Sequence, residues 1–143
     1  MEQRGHRERN SFDFYFRAIK GEILIKGYEP DGDSVRFKAT NPEDYNDLYR
    51  HYKIKPSTHD ESVQLRFEGI DALELHYQNH AQVGGMEARD HLLKNILGFE
   101  NIQYHGQGTK VESSEPASLP AIIFTKASDA AILAESPCVL LAR

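Results

Sequence analysis

Hydrophobic positions recur at two different periods along this chain, and the alternation between the two lays out its elements. Val63, Leu65 and Phe67 alternate with Gln64, Arg66 and Glu68, the pattern of a strand with one apolar face. The same period of two runs through Val35, Phe37 and Ala39 against Ser34, Arg36 and Lys38. Upstream, Phe12, Phe14 and Phe16 alternate with Asp13, Tyr15 and Arg17, and after Gly21 the residues Ile23 and Ile25 face inward, which predicts a strand or paired strands over 11–25. Residues 21–39 form a hairpin around Glu29-Pro30-Asp31-Gly32-Asp33-Ser34, whose residue types suit tight backbone geometry and leave carboxylates free. Further short strands are expected at 101–104 and 121–125, with a flexible loop over 106–118.

The helical period appears twice. Asn41-Pro42-Glu43-Asp44 is a helix start, with Asn41 as cap, Pro42 at the first helical position and acids in the first turn. Tyr45, Leu48, Tyr49 and Tyr52 then recur at helical spacing, an aromatic stripe that either packs an inserted helix onto the remaining strands or stacks nucleobases. Pro56 ends this helix within a polar loop over 53–62. Gly84-Gly85 is a hinge before an amphipathic helix over 86–97, marked by Ala88, Leu92, Leu93, Ile96 and Leu97 and closed by Gly98. After Lys126 a short helix over 127–135 and a last apolar segment over 138–142 are expected. Residues 1–10 are expected to be a charged mobile arm, and 11–143 one domain in which 40–62 is an insertion and 127–143 a tail.

Composition narrows the class. At 143 residues with 39% hydrophobic and 27% charged content, the chain suits a single soluble domain, and no apolar run approaches the length of a membrane span. The formal charge of −5 argues against a general nucleic-acid-coating protein but leaves room for a local basic site. A single cysteine, Cys138, excludes an intrachain disulfide and a thiolate zinc site, and in the absence of a partnering His-Asp arrangement it reads as an apolar filler. The polar N-terminus has no apolar signal core, so a cytoplasmic monomer without membrane partners is expected.

The candidate chemistry sits in two acidic segments. Asp31-Gly32-Asp33-Ser34 occupies the hairpin turn, while Arg66-Phe67-Glu68-Gly69-Ile70-Asp71-Ala72-Leu73-Glu74 runs from the end of one strand past a glycine break. Asp33, Asp71 and Glu74 make an oxygen-only cluster, the donor set of a hard divalent cation, and crowded carboxylates call for such a cation or an arginine to compensate their repulsion. The competing explanation is that Asp31 and Asp33 serve turn geometry and that Arg66 pairs with Asp71 as a structural salt bridge. His76 and His80, four apart, offer a weaker transition-metal pair with no evident third ligand beyond Glu74.

Together the two segments resemble the signatures of the staphylococcal-nuclease-like (thermonuclease) family, an Asp-Gly-Asp-Thr-like turn followed by Arg-x-x-Gly-Ile-Asp-x-x-Glu. The resemblance covers about residues 21–125. It implies a β-rich α+β fold, a five-stranded OB-type barrel with the amphipathic helix between strands 3 and 4 and the inserted helix after strand 2, an architecture the strand pattern also suits. It implies that Asp33, Asp71 and the main-chain carbonyl of Ala72 bind Ca²⁺, that Asp31 supports them from behind, that Glu74 orients or deprotonates the attacking water, and that Arg66 grips the scissile phosphate of DNA or RNA. Three departures stand out. The family's second catalytic arginine has no counterpart in Glu115-Pro116-Ala117-Ser118-Leu119-Pro120-Ala121, with Lys110 the available cation nearby; Ala72-Leu73 replaces the usual Thr-Pro; and the family's C-terminal helices have no counterpart after Lys126. The expected function is a Ca²⁺-dependent phosphodiesterase, with a nuclease-fold module that binds nucleic acid or protein without catalysis as the alternative.

Overall fold

The computed structural model describes residues 16–48, 53–67, 83–106, 108–126 and 139–142. These form a β-rich chain with little helix, arranged as two antiparallel sheets. The larger sheet has the order β3-β2-β1-β6-β7, with β1 spanning Phe16–Leu24, β2 Ser34–Ala39, β3 Val63–Arg66, β6 Ser118–Lys126 and β7 Val139–Ala142. The smaller pairs β4 (Glu100–Tyr104) with β5 (Val111–Glu115). Seven strands among the described residues thus stand where the sequence pattern predicts five.

The first hairpin forms as the alternation predicts, with Gly21 opposite Ala39 and Leu24 opposite Arg36. Ile19, Ile23, Ile25, Val35, Phe37 and Leu65 are buried on its inner face, each contributing about 1.5–3 kcal/mol by leaving water. Gly21 belongs to that same inner face, where the opposing strand leaves no space for a side chain. Phe16 opens β1 but does not share this face. It lies an odd number of residues from Ile19 and Ile23, so the pleat turns it to the other face, and it is 50% exposed. Phe12 and Phe14 lie outside the described residues.

Asn41 caps its helix as predicted, its Oδ1 accepting from Glu43 N at 3.1 Å. The helix is a short 3₁₀ turn over Pro42–Asp47, ended by the extended conformation of Leu48. Tyr45 is buried against the core with Leu48 beside it, and burial pushes the Tyr45 hydroxyl up to about 12. Packing therefore accounts for the described part of the aromatic stripe; Tyr49 and Tyr52 lie outside the described residues.

The second helix, α1, spans Gly85–Asp90 and continues as a wider π turn over His91–Ile96, in which Leu97 N donates to Leu92 O at 2.9 Å. Leu92, Leu93 and Leu97 are buried as expected, and Ala88 is half-buried. Ile96 is 49% exposed, because a stripe laid out at 3.6 residues per turn loses register once the turn widens. Gly98, at φ +87°, closes the helix in the left-handed region. The expected loop over 106–118 contains β5 instead. Its first residue, Val111, donates to Tyr28 O at 2.9 Å and accepts from Gly27 N at 2.8 Å, so the smaller sheet is tied to the connection between β1 and β2. No helix among the described residues is long and apolar enough to cross a membrane. The 127–135 segment and Cys138 lie outside the described residues, while the last apolar stretch forms β7 against β6.

Candidate functional site

The acidic turn is drawn tight by a bridge between the backbones of Asp31 and Ser34. Ser34 then opens β2 directly opposite Arg66, the last residue of β3, and one residue further on Phe67 N donates to Asp33 O at 2.8 Å. The ladder thus brings the main chains of Asp33 and Arg66 to the same corner of the sheet. Arg66 Nη2 stands 3.7 Å from Asp33 Oδ2, an ion-pair separation longer than a hydrogen bond. The Asp33 side chain is only 12% exposed whereas Arg66 is 40% exposed. The exposed guanidinium keeps water at one end of the pair, so the attraction is that of a partly screened ion pair.

This arrangement brings together two of the residues picked out by the sequence. Asp31 sits half-buried two positions before Asp33 on the same turn. Asp71, Ala72 and Glu74, and with them the suggested Arg66–Asp71 bridge and the pair His76 and His80, lie outside the described residues. The acid that pairs with Arg66 in the described structure is Asp33, contributed by the other segment. Among the described residues no group of three His, Cys, Asp or Glu side chains stands close enough to hold a metal ion.

Lys110 is exposed in the turn before β5. Its carbonyl accepts from His105 N at 2.9 Å, and its neighbour Thr109 donates through Oγ1 to Glu29 Oε1 at 2.8 Å. That turn therefore docks on the β1–β2 connection just ahead of Asp31. Residues 115–121, where a second arginine is absent, form the end of β5 and the start of β6.

Sequence inspection missed a polar network on the outer side of the same ladder. Arg36 donates through Nε to Ser62 Oγ at 3.0 Å and through Nη2 to Ser62 O at 2.8 Å, and its guanidinium lies 5.0 Å from the ring centre of Tyr28. Asp60 Oδ1 accepts from Ser62 N at 3.0 Å and from Ser62 Oγ at 2.7 Å, while Asp60 Oδ2 accepts from the Tyr28 hydroxyl. The alternation of β2 marked Arg36 as outward-facing, but nothing local connects it to residues 26 positions away.

Burial alone would raise the Asp60 carboxyl, yet the hydrogen bonds from Ser62 and Tyr28 and the Arg36 charge outweigh it and hold the group at about 2. A carboxyl with a depressed native pKa stabilises the fold fully above its unfolded value, near 3.9, and loses that contribution as pH falls towards about 2. Asp60→Asn is accordingly expected to flatten the acid limb of stability between about pH 4 and pH 2, read as urea midpoints across pH. An unchanged pH dependence would show that the network does not hold the carboxylate in its charged form.

No family model matches this chain, and no curated protein or solved structure matches it.

Proposed function

We propose that this chain is a calcium-dependent phosphodiesterase of the thermonuclease type, hydrolysing DNA or RNA by attack of water on phosphorus. The observation that carries this proposal is the meeting of Asp33 and Arg66 at adjoining strand ends, 3.7 Å apart, with one partner nearly buried and the other open to solvent. An exposed guanidinium fixed beside a buried acid is suited to bind an incoming phosphate, and its planar fork matches two phosphate oxygens. In the same proposal the two sheets are parts of an OB-type barrel; support comes from the helix between β3 and β4 and from Val111, which bonds the smaller sheet to the β1–β2 connection.

The donor chemistry fits a hard cation: Asp33, backed by Asp31, offers oxygen only, and Asp71 with the Ala72 carbonyl would complete the set. When bound, Ca²⁺ supplies charge neutralisation at the phosphate and a more acidic water. Arg66 binds the scissile phosphate and stabilises the charge that builds on its oxygens. Asp33 holds Arg66 in position by charge until the phosphate arrives. Glu74 takes the proton from the attacking water.

The test is incubation of the purified chain with labelled single-stranded DNA or RNA in millimolar Ca²⁺ and again with chelator. Cleavage that stops on chelation is expected; cleavage indifferent to chelator removes this mechanism. A second reading, a nuclease-fold module that binds without cutting, is favoured by the lack of an arginine in 115–121 and by the net charge of −5. Binding with no turnover at any Ca²⁺ concentration would select it.

A further inference from the structure

The described parts of residues 40–62 leave the larger sheet after β2, return to it at β3, and wall a pocket on the way. The Asn41 cap sets the 3₁₀ turn that carries Tyr45, the extended backbone at Leu48 ends that turn, and Ile54 packs against the core again. These three side chains bound a pocket of about 150 Å³ that reaches down to Ile19 of β1 and Ile123 of β6, each only 1% exposed. Arg36 and Lys55 also line it, and among the described lining residues there is no acid, in a chain that holds 22 Asp and Glu. The pocket is separate from the corner described above: neither Asp33 nor Arg66 lines it, and Val63, which does, stands at the opposite end of β3 from Arg66.

We infer that this pocket binds a small organic acid with a single apolar ring, the ring held inside and the carboxylate held at Lys55. Nothing in this inference depends on the phosphodiesterase proposal. Size sets the body of the ligand, since an apolar cavity of about 150 Å³ takes up one benzene ring. The walls suit such a ring: Leu48 and Ile54 offer aliphatic contact and Tyr45 an aromatic one. Charge sets the head group. Arg36 is committed to Ser62 and lies close to the Asp60 carboxylate, whereas among the described residues neither a hydrogen bond nor an ion pair engages Lys55. Lys55 is exposed, and the long apolar stem of a lysine lets it line a pocket while its ammonium stays in water at the mouth. From there the ammonium donates to a carboxylate whose ring is already inside. A cationic ligand would meet two like charges and no counter-charge. Inorganic phosphate would leave the apolar walls uncovered and would gain nothing from them.

The experiment takes the full chain with phenylacetate at millimolar concentration and reads the melting temperature, which rises by mass action when a ligand binds only the folded form. Phenylacetamide keeps the ring and loses the charge, phenethylamine reverses the charge, and acetate at the same ionic strength keeps the carboxylate without the ring. Phenylacetate is expected to give the largest rise, the two other ring compounds smaller ones, and acetate none. Titration followed by backbone amide chemical shifts is expected to move the signals of Leu48, Ile54 and Ile123 and to leave that of Arg66 in place. Lys55→Gln, at an exposed position, is expected to lower phenylacetate affinity about fivefold and to leave phenylacetamide affinity unchanged. Ile54→Trp, which fills the pocket, is expected to abolish both; should it unfold the chain, Lys55→Gln still decides the matter. A phenylacetate response no larger than that of acetate, shifts that map away from these residues, or wild-type phenylacetate affinity in Lys55→Gln would overturn the inference. Calcium-dependent cleavage, present or absent, bears only on the phosphodiesterase proposal.

Discussion

On the phosphodiesterase proposal, exchange of Arg66 for lysine is expected to lower calcium-dependent cleavage of single-stranded DNA by about a thousandfold while leaving the melting temperature nearly unchanged. The two readouts separate because the side chain has two environments. Towards Asp33 it makes a 3.7 Å ion pair, and with 40% of its own surface exposed that pair is worth no more than about 1 kcal/mol to the fold. Lysine keeps the charge and most of that attraction. Towards solvent the guanidinium presents a rigid fork, and an ammonium cannot reproduce its two parallel hydrogen bonds to phosphate. A merely structural Arg66 would tolerate lysine with activity intact, and that outcome would remove Arg66 from the chemistry. Asp33→Asn, nearly equal in volume, is expected to raise the Ca²⁺ concentration needed for half-maximal cleavage. If it leaves the calcium response where it was, the acidic turn has only a conformational role.

The second large effect concerns the strand pairing that builds this corner. A methyl group added at Gly21 would lie 2.2 Å from the carbonyl oxygen of Lys38, 2.5 Å from Cζ of Phe37 and 2.9 Å from the Cα of Ala39. Two of these neighbours are main-chain atoms of β2, so a rotamer change cannot relieve the clash; β1 and β2 have to separate. Gly21→Ala is expected to cost about 3 kcal/mol, the upper end of overpacking penalties. In urea that corresponds to a midpoint lower by roughly 2 M for a slope near 1.5 kcal/mol/M. Gly27→Ala is the control, since nothing lies within 4 Å there and only the positive φ of +83° is strained, at about 1–2 kcal/mol. Equal midpoints for the two variants would contradict the packing of β1 on β2. Because β2 also carries Ser34 opposite Arg66, the activity proposed for this corner is expected to fall in Gly21→Ala in step with the folded fraction.

The polar network on the outer face explains how the 53–62 loop stays attached to this sheet. Ser62 is fully buried, and it is at once donor to Asp60 and acceptor from Arg36. Buried polar groups are tolerated when each finds a partner, and here the partners come from the β1–β2 connection, from β2 and from the loop itself. A comparable link fixes α1 to β4: Arg89, only 5% exposed, donates through Nε to Asp90 Oδ1 at 3.1 Å and stacks 4.3 Å from the ring centre of Tyr104.

The sequence by itself determined the local elements: the alternating faces of β2 and β3, the Asn41 cap, and the apolar stripe of Leu92, Leu93 and Leu97 ended by Gly98. Each of these follows from side chains a few positions apart, whose directions are fixed by the repeat of the backbone itself. Only the tertiary structure decided that β6 lies between β1 and β7, that β5 runs where a loop is expected, that Phe16 faces outward, and that Arg66 meets Asp33 while Arg36 meets Ser62. Contacts of that kind join residues tens of positions apart, and they depend on the path of the whole chain, which no short window of sequence contains.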